Sequence, residues 1–237
     1  MASMKNYLFF LITAIMLVYA PAVQAQITEK RELPPFHALN ISSEIEAELV
    51  LSVKEGIDLE IENANPMNLI SEVKDGVLTV KMKTGSYKDA VLKVKVHFKD
   101  LTEIESTGRA SVWSEEDIYL EDLSIRLYNG GATRLRLYCD NLDINISQGA
   151  ILTLKGEGRF QKVKVNTNAT YSGYEFKSEK AVVNSTSYGK AKVSASKFLE
   201  AKASSGGFIG FVGNPARVER KTSLGGEVLE TTLEDES

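Results

Sequence analysis

Apolar and polar residues alternate one by one along most of the chain. Glu48-Leu49-Val50-Leu51-Ser52-Val53, Ile57-Asp58-Leu59-Glu60-Ile61 and Val91-Leu92-Lys93-Val94-Lys95-Val96 each show a period of two. That period sends successive side chains to opposite faces of a strand, so these runs predict half-buried β-strands. Asp75-Gly76 separates ISEV from VLTVKM. Both central positions of a two-residue hairpin need positive φ, which favours Asp-Gly, so a hairpin is expected there. Residues 33–99 read as a β-meander. Only Ser114 to Leu123 gathers acids with some helical character, and it is too short for a stable helix.

From Leu101 the pattern acquires a second, longer period. Small-residue breaks fall at Gly108, Gly130, Gly149, Asn168, Gly189, Gly206 and Gly225, with spacings of 22, 19, 19, 21, 17 and 19 residues. A period of about 20 is the mark of a solenoid, in which each coil buries its apolar face against identical neighbours. Three residues before the breaks stand Leu127, Ile146, Val165, Thr186, Ala203 and Thr222. Seven before stand Leu123, Leu142, Gln161, Val182, Leu199 and Val218. These mostly apolar columns are expected to face inward. Between them Arg126, Asn145, Lys164, Ser185, Lys202 and Lys221 form a polar column expected to face out. Gly and Asn at the breaks suit corners, because they tolerate left-handed dihedrals. Asn168 must take its corner without glycine unless the register slips there. No proline lies between Met67 and Asn214, so every backbone N–H there is available for pairing. The same spacings also suit a run of hairpins in an antiparallel sandwich.

The expected organisation is residues 1–25 as a leader, 26–100 as a strand region continuous with the solenoid, 101–231 as parallel coils and 232–237 as an acidic tail. The leader reading rests on Lys5, the apolar run Leu8 to Ala20 and the small-residue site Val23-Gln24-Ala25, with cleavage before Gln26. The run has 13 residues, short of the roughly 20 that span a bilayer. No other segment is apolar enough to span. The net charge is −4, and loss of Lys5 with the leader makes it −5. Mixed, weakly acidic charge argues against nucleic acid as a partner. Cys139 is the single cysteine, so no intramolecular disulfide forms, and it reads as a small strand residue.

The leader, RELPPFHALNI, LISEVKDGVLTVKM and the serial STGRASV, YNGGATRL, SQGAILTL and SSGGFIGFVGNP resemble, in that order, the auto-transporter-adhesin head domain family, also called the head GIN domain. The resemblance runs from about Arg31 to Pro215. It implies a right-handed parallel β-helix and an adhesin-like role in an exported bacterial protein. Two departures stand out. The nearest tripeptide to Gly-Ile-Asn is Gly56-Ile57-Asp58, and the solenoid reading leaves no segment for a membrane barrel with strands of about 10 residues.

Candidate chemistry is sparse. His37 and His97 are the only histidines, and neither has a partner at metal-ligand spacing, so no metal or other cofactor is expected. No glycine pattern for phosphate and no Gly-x-Ser-x-Gly elbow occurs. Asp143 and Lys162 share an outward column with Lys164 nearby, a constellation that a polysaccharide lyase or hydrolase would need. Opposite charges across a solvated sheet are the simpler explanation. Two residues before the breaks, Tyr128, Ser147, Asn166, Ser187, Ser204 and Ser223 form a ladder of hydroxyls and amides. Beside it runs the column of Arg126, Asn145, Lys164 and Lys202. Donors spaced about 4.8 Å apart from coil to coil suit a repetitive polymer such as a glycan, although the solubility of an exposed sheet accounts for the same residues more simply. The resulting expectation is an exported, non-catalytic binding module of the periplasm or cell surface, with a glycan or an envelope protein as partner. A polysaccharide-active enzyme and a structural subunit, whose open coil ends the segment 114–122 and the tail would cover, are the rivals.

Overall fold

The structure is a computed structural model and describes residues 27–232. It is a β-solenoid of about seven turns, with 68% of residues in strands and no α-helix among those described. The N-terminal strands are β1 (Ile27–Glu32), β2 (Ala38–Ile41), β3 (Glu46–Leu51), β4 (Gly56–Glu62), β5 (Leu69–Lys74), β6 (Val77–Met82), β7 (Val91–Phe98) and β8 (Glu103–Ser106). The coils proper follow as β9 (Ser111–Leu127), β10 (Ala132–Ile146), β11 (Ile151–Val165), β12 (Thr170–Ser185) and β13 (Lys190–Ser204). The last turn is split into β14 (Phe208–Val212), β15 (Arg217–Ser223) and β16 (Glu227–Glu230). The leader and most of the acidic tail expected from the sequence lie outside the described residues.

Neighbouring coils run parallel, each pairing with the next at an offset of 17 to 21 residues, as in Ser111 with Ala132 and Lys177 with Ser194: Ile146 faces Val165, and Leu142 faces Gln161. β10 shows how a long strand bends. In β10 the buried set is Thr133, Leu135, Leu137 and Cys139, then Leu142, Ile144 and Ile146. The step of three between Cys139 and Leu142 breaks the period of two, so the strand turns a corner at Asp140-Asn141. The two arms close over one apolar core that continues through every turn.

The other corner is a stack of tight turns. Both central residues have positive φ in each: Asn129 and Gly130 (51° and 76°), Gln148 and Gly149 (56° and 73°), Thr167 and Asn168 (49° and 58°), Ser187 and Tyr188 (52° and 63°), Ser205 and Gly206 (50° and 74°). Each is a β-turn closed by an i to i+3 hydrogen bond, as from the Gly131 N–H to the Tyr128 carbonyl at 2.9 Å, but it carries the chain to the next coil and joins no hairpin. Asn168 does take its corner. In the following coil the corner falls at Ser187-Tyr188, one residue before Gly189. Gly189 is needed for another reason, since a Cβ there would lie 2.6 Å from the Val165 carbonyl oxygen. The inferred columns therefore slip by one in this coil. Ser185, not Thr186, sits inside with Val165 and Ala203, and its hydroxyl donates to the Gly189 carbonyl at 2.7 Å. Ala181 replaces Val182 in the inner column, Asn184 replaces Ser185 in the outer one, and Thr186 replaces Ser187 in the hydroxyl ladder.

The N-terminal region is continuous with the coils, but of the meander expected there only β5 and β6 pair as sequence neighbours, through Asp75-Gly76. β2 lies parallel to β6 and β8, β3 lies parallel to β7 and β9, and β4 is antiparallel to β1 and β7. Alternation alone reveals strands and not their partners. Arg31 ties this end together. Its guanidinium donates to the carbonyls of Leu69 (3.0 Å) and Pro66 (3.1 Å), to Ser71 Oγ (2.8 Å) and to Glu29 Oε1 (2.8 Å), joining β1 to β5. The acidic segment 114–122 is neither helical nor a cap. It lies within β9, in the middle of the stack.

Candidate binding surfaces

The second arm of each coil, from Asp122 to Leu127 in β9 and its equivalents, presents the polar columns expected from the sequence. The observed register aligns Arg126, Asn145, Lys164, Asn184, Lys202 and Lys221. Backbone pairing places successive members one rung, about 4.8 Å, apart. Arg126 forms an ion pair with Glu103, which holds its guanidinium pKa above the ordinary value. Lys202 reaches Glu200 at 2.5 Å and keeps that carboxyl below its usual range. Lys164 is exposed and Asn145 half-buried.

The neighbouring ladder is Tyr128, Ser147, Asn166, Thr186, Ser204 and Ser223. Tyr128 is half-buried, and that burial pushes its phenol pKa up. Ser204 Oγ donates to Thr186 Oγ1 at 3.3 Å, and Asn166 Oδ1 accepts from Thr167 Oγ1 at 3.1 Å. Ser147 departs from the expectation. It is 9% exposed, and so adds little to an outward ladder. Small side chains near a corner are covered by the turns above and below, which alternation cannot reveal.

Two features were missed by sequence reasoning. One is a third column on the same arm, in which Phe160, Lys180, Phe198 and Arg217 are register neighbours. Arg217 lies over the Phe198 ring at 5.7 Å. The signal that could have found them is a count of eight back from the second residue of each tight turn, Asn168, Tyr188, Gly206 and Gly225. The other is a groove of about 810 Å³ along that bent corner, lined by Tyr119, Tyr138, Asp140, Arg159, Lys177 and Glu179 among others. Tyr119 and Tyr138 stack in register, with centroids 4.8 Å apart and planes 11° apart. Arg159 clamps Asp140 by donating from Nε to Oδ1 and from Nη2 to Oδ2, at 2.8 and 2.5 Å. Lys197 Nζ sits 2.7 Å from Glu179 and holds that carboxyl below its usual range. A general acid needs the opposite shift.

The remaining chemistry-bearing groups are dispersed. Asp143 and Lys162 meet at 3.6 Å as an exposed pair across coils. His97 Nε2 lies 3.3 Å from Asp58. Cys139 is buried, and burial, then the charges of Asp140 and Asp122, push its thiol up to about 12. Among the described residues no group of three or more His, Cys, Asp and Glu side chains is placed to hold a metal ion.

Parallel rungs with an open, many-rung polar face define a β-solenoid that offers an extended surface. The family described as "Putative auto-transporter adhesin, head GIN domain" matches residues 35–215, and the chain belongs to it. Among solved structures it is similar to a putative adhesin from Bacteroides fragilis (TM-score 0.79, 16% identity, covering 87% of this chain and 97% of that one). It is similar also to a putative adhesin from Parabacteroides merdae (0.72, 19%, 87% and 96%). A third, from Parabacteroides distasonis, is described as a putative lipid binding protein (0.64, 17%, 87% and 97%). At these identities the likeness speaks for the fold. No curated protein matches the chain.

Proposed function

We propose that the protein is an exported, non-catalytic, adhesin-like module of the bacterial periplasm or cell surface, and that it captures an extended glycan along the second-arm face. The reading is carried by the register that aligns Arg126, Asn145, Lys164, Asn184, Lys202 and Lys221 on consecutive rungs. A repetitive ligand can meet a repetitive row of donors at every rung, so weak contacts add along its length. The hydroxyls of Tyr128, Thr186 and Ser204 and the amide of Asn166 border that row.

The test is a glycan array probed with the mature protein. Capture of extended polysaccharides, weakened by Lys164→Glu and Arg126→Glu, supports the reading. Retained capture in both variants would sink it, as would an array without binding in which the protein instead copurifies with an envelope protein.

A further inference from the structure

Charge is segregated along the axis of the solenoid. Residues 100–143 carry ten acids against four bases, a net −6, whereas residues 144–226 carry thirteen bases against five acids, a net +8. Coils stack in chain order. A charge division along the sequence is therefore a charge division in space, with basic rungs from β11 to β15. On the second arm of those rungs Lys162, Lys164, Lys180, Lys202, Arg217 and Lys221 outnumber Glu200 and Glu219.

Several of these cations are unspent. Lys164, Lys180 and Lys221 are exposed and form no ion pair with a described residue. Lys180 and Arg217 alternate with the half-buried rings of Phe160 and Phe198 in one column, and Lys164, Lys202 and Lys221 line the same arm two columns away. The two rings stand two rungs apart, about 9.6 Å, a spacing on the scale of a disaccharide. A ring face offers an apolar platform to a sugar, and the Lys180 ammonium between the two rings offers charge-assisted hydrogen bonds to an acidic substituent, whereas the Arg217 guanidinium is already held by Glu219 and lies over the Phe198 ring.

We propose that the basic rungs bind an anionic polysaccharide, one bearing carboxylate or sulfate groups, lying along the axis from β11 to β15. This rests on the glycan-capture reading above and names the class of glycan. An anionic bilayer is the competing polyanion. A bilayer rewards exposed apolar side chains that insert; on this arm of the basic rungs Phe160, Val182, Phe198 and Val218 are half-buried, and the exposed Tyr188 and Leu224 stand apart at the tight turns.

The experiment measures binding of the mature protein to polygalacturonate, dextran sulfate, neutral dextran of matched length and phosphatidylglycerol vesicles, at low and at moderate salt. The expected result is binding of an acidic polysaccharide that weakens as salt rises. Lys164→Glu and Lys221→Glu should each weaken it by at least about tenfold, or about 1.4 kcal/mol. Phe198→Ala should weaken it at both salt levels, and Lys74→Glu, outside the basic rungs, should leave it unchanged. Equal binding of neutral dextran, insensitive to the lysine reversals, overturns the anionic class while leaving glycan capture intact. Binding to vesicles with none to polysaccharide overturns it in favour of a membrane. Binding to none of the probes, while a neutral glycan on the array is captured, also overturns it. No glycan bound in either experiment removes both readings.

Discussion

Tyr188 lies against Gly206, one rung along the stack of tight turns. A Cβ built on Gly206 would stand 2.7 Å from both Cδ1 and Cε1 of the Tyr188 ring. Both residues hold left-handed backbone, at φ 63° and 74°. The ring of one turn thus occupies the space that glycine leaves in the next.

Gly206→Ala should therefore cost more than its dihedral alone, which is about 1–2 kcal/mol for a residue with a Cβ in this region. Tyr188→Ala should be close to neutral, because the side chain is 69% exposed. In the double variant part of the Gly206→Ala cost should vanish. A double-mutant cycle from urea melts measures that coupling, and an additive result would mean that the ring simply swings aside.

Gln161 is the polar member of an otherwise apolar column and is fully buried. Its Nε2 donates to Ser178 Oγ at 2.9 Å and to the Ser194 carbonyl at 3.1 Å, and its Oε1 accepts from the Tyr171 hydroxyl at 3.1 Å. Gln161→Leu should destabilise by about 2 kcal/mol or more, because the Tyr171 hydroxyl loses its acceptor inside the core. Adding Tyr171→Phe should recover part of that loss, as denaturant midpoints would register.

Stability should fall at alkaline pH partly through Cys139. Its thiol has an ordinary value of 9.0 and is pushed up to about 12 in the fold, mainly by burial. A raised folded-state pKa stabilises fully below the unfolded value and loses its effect as pH rises through the folded one. The contribution is thus intact at pH 8 and eroded between about 9 and 12. Cys139→Ala should be less stable at neutral pH, yet lose less stability from pH 9 to 11. Urea melts at three pH values give the comparison, and Cys139 should resist alkylation at pH 8 until the protein is unfolded.

Arg31 should act as the clasp of the N-terminal end. Arg31→Ala removes four hydrogen bonds, two of them to the carbonyls of Leu69 and Pro66. The expected cost is about 2–3 kcal/mol, with faster amide exchange confined to β1 and the Pro66–Ser71 stretch. Arg31→Lys should rescue little, since an ammonium cannot span the same fork of acceptors. Uniformly faster exchange would instead point to a loss of global stability.

Much of the coil pattern was legible in the chain, and the reasons are local. Leu127, Ile146 and Val165 form a true inner column because strand period and turn period agree there. The slip at Ser187-Tyr188 was not legible. Gly189 is the better corner by dihedral preference, but the close approach of its backbone to Val165 claims the glycine one position later. Likewise Tyr119, Tyr138 and Arg159 gather along the bent corner, where the change of period hides their alignment.

By itself the sequence determined the strands, the repeat length and which faces are wet, since all three follow from side-chain alternation and turn chemistry within a few residues. Only the tertiary structure decided which rung pairs with which residue of the next, how the N-terminal strands interleave and where the charges of separate coils come together. Those choices are made through backbone hydrogen bonds that every residue can offer, so steric fit between rungs, rather than any local preference, selects among registers one residue apart.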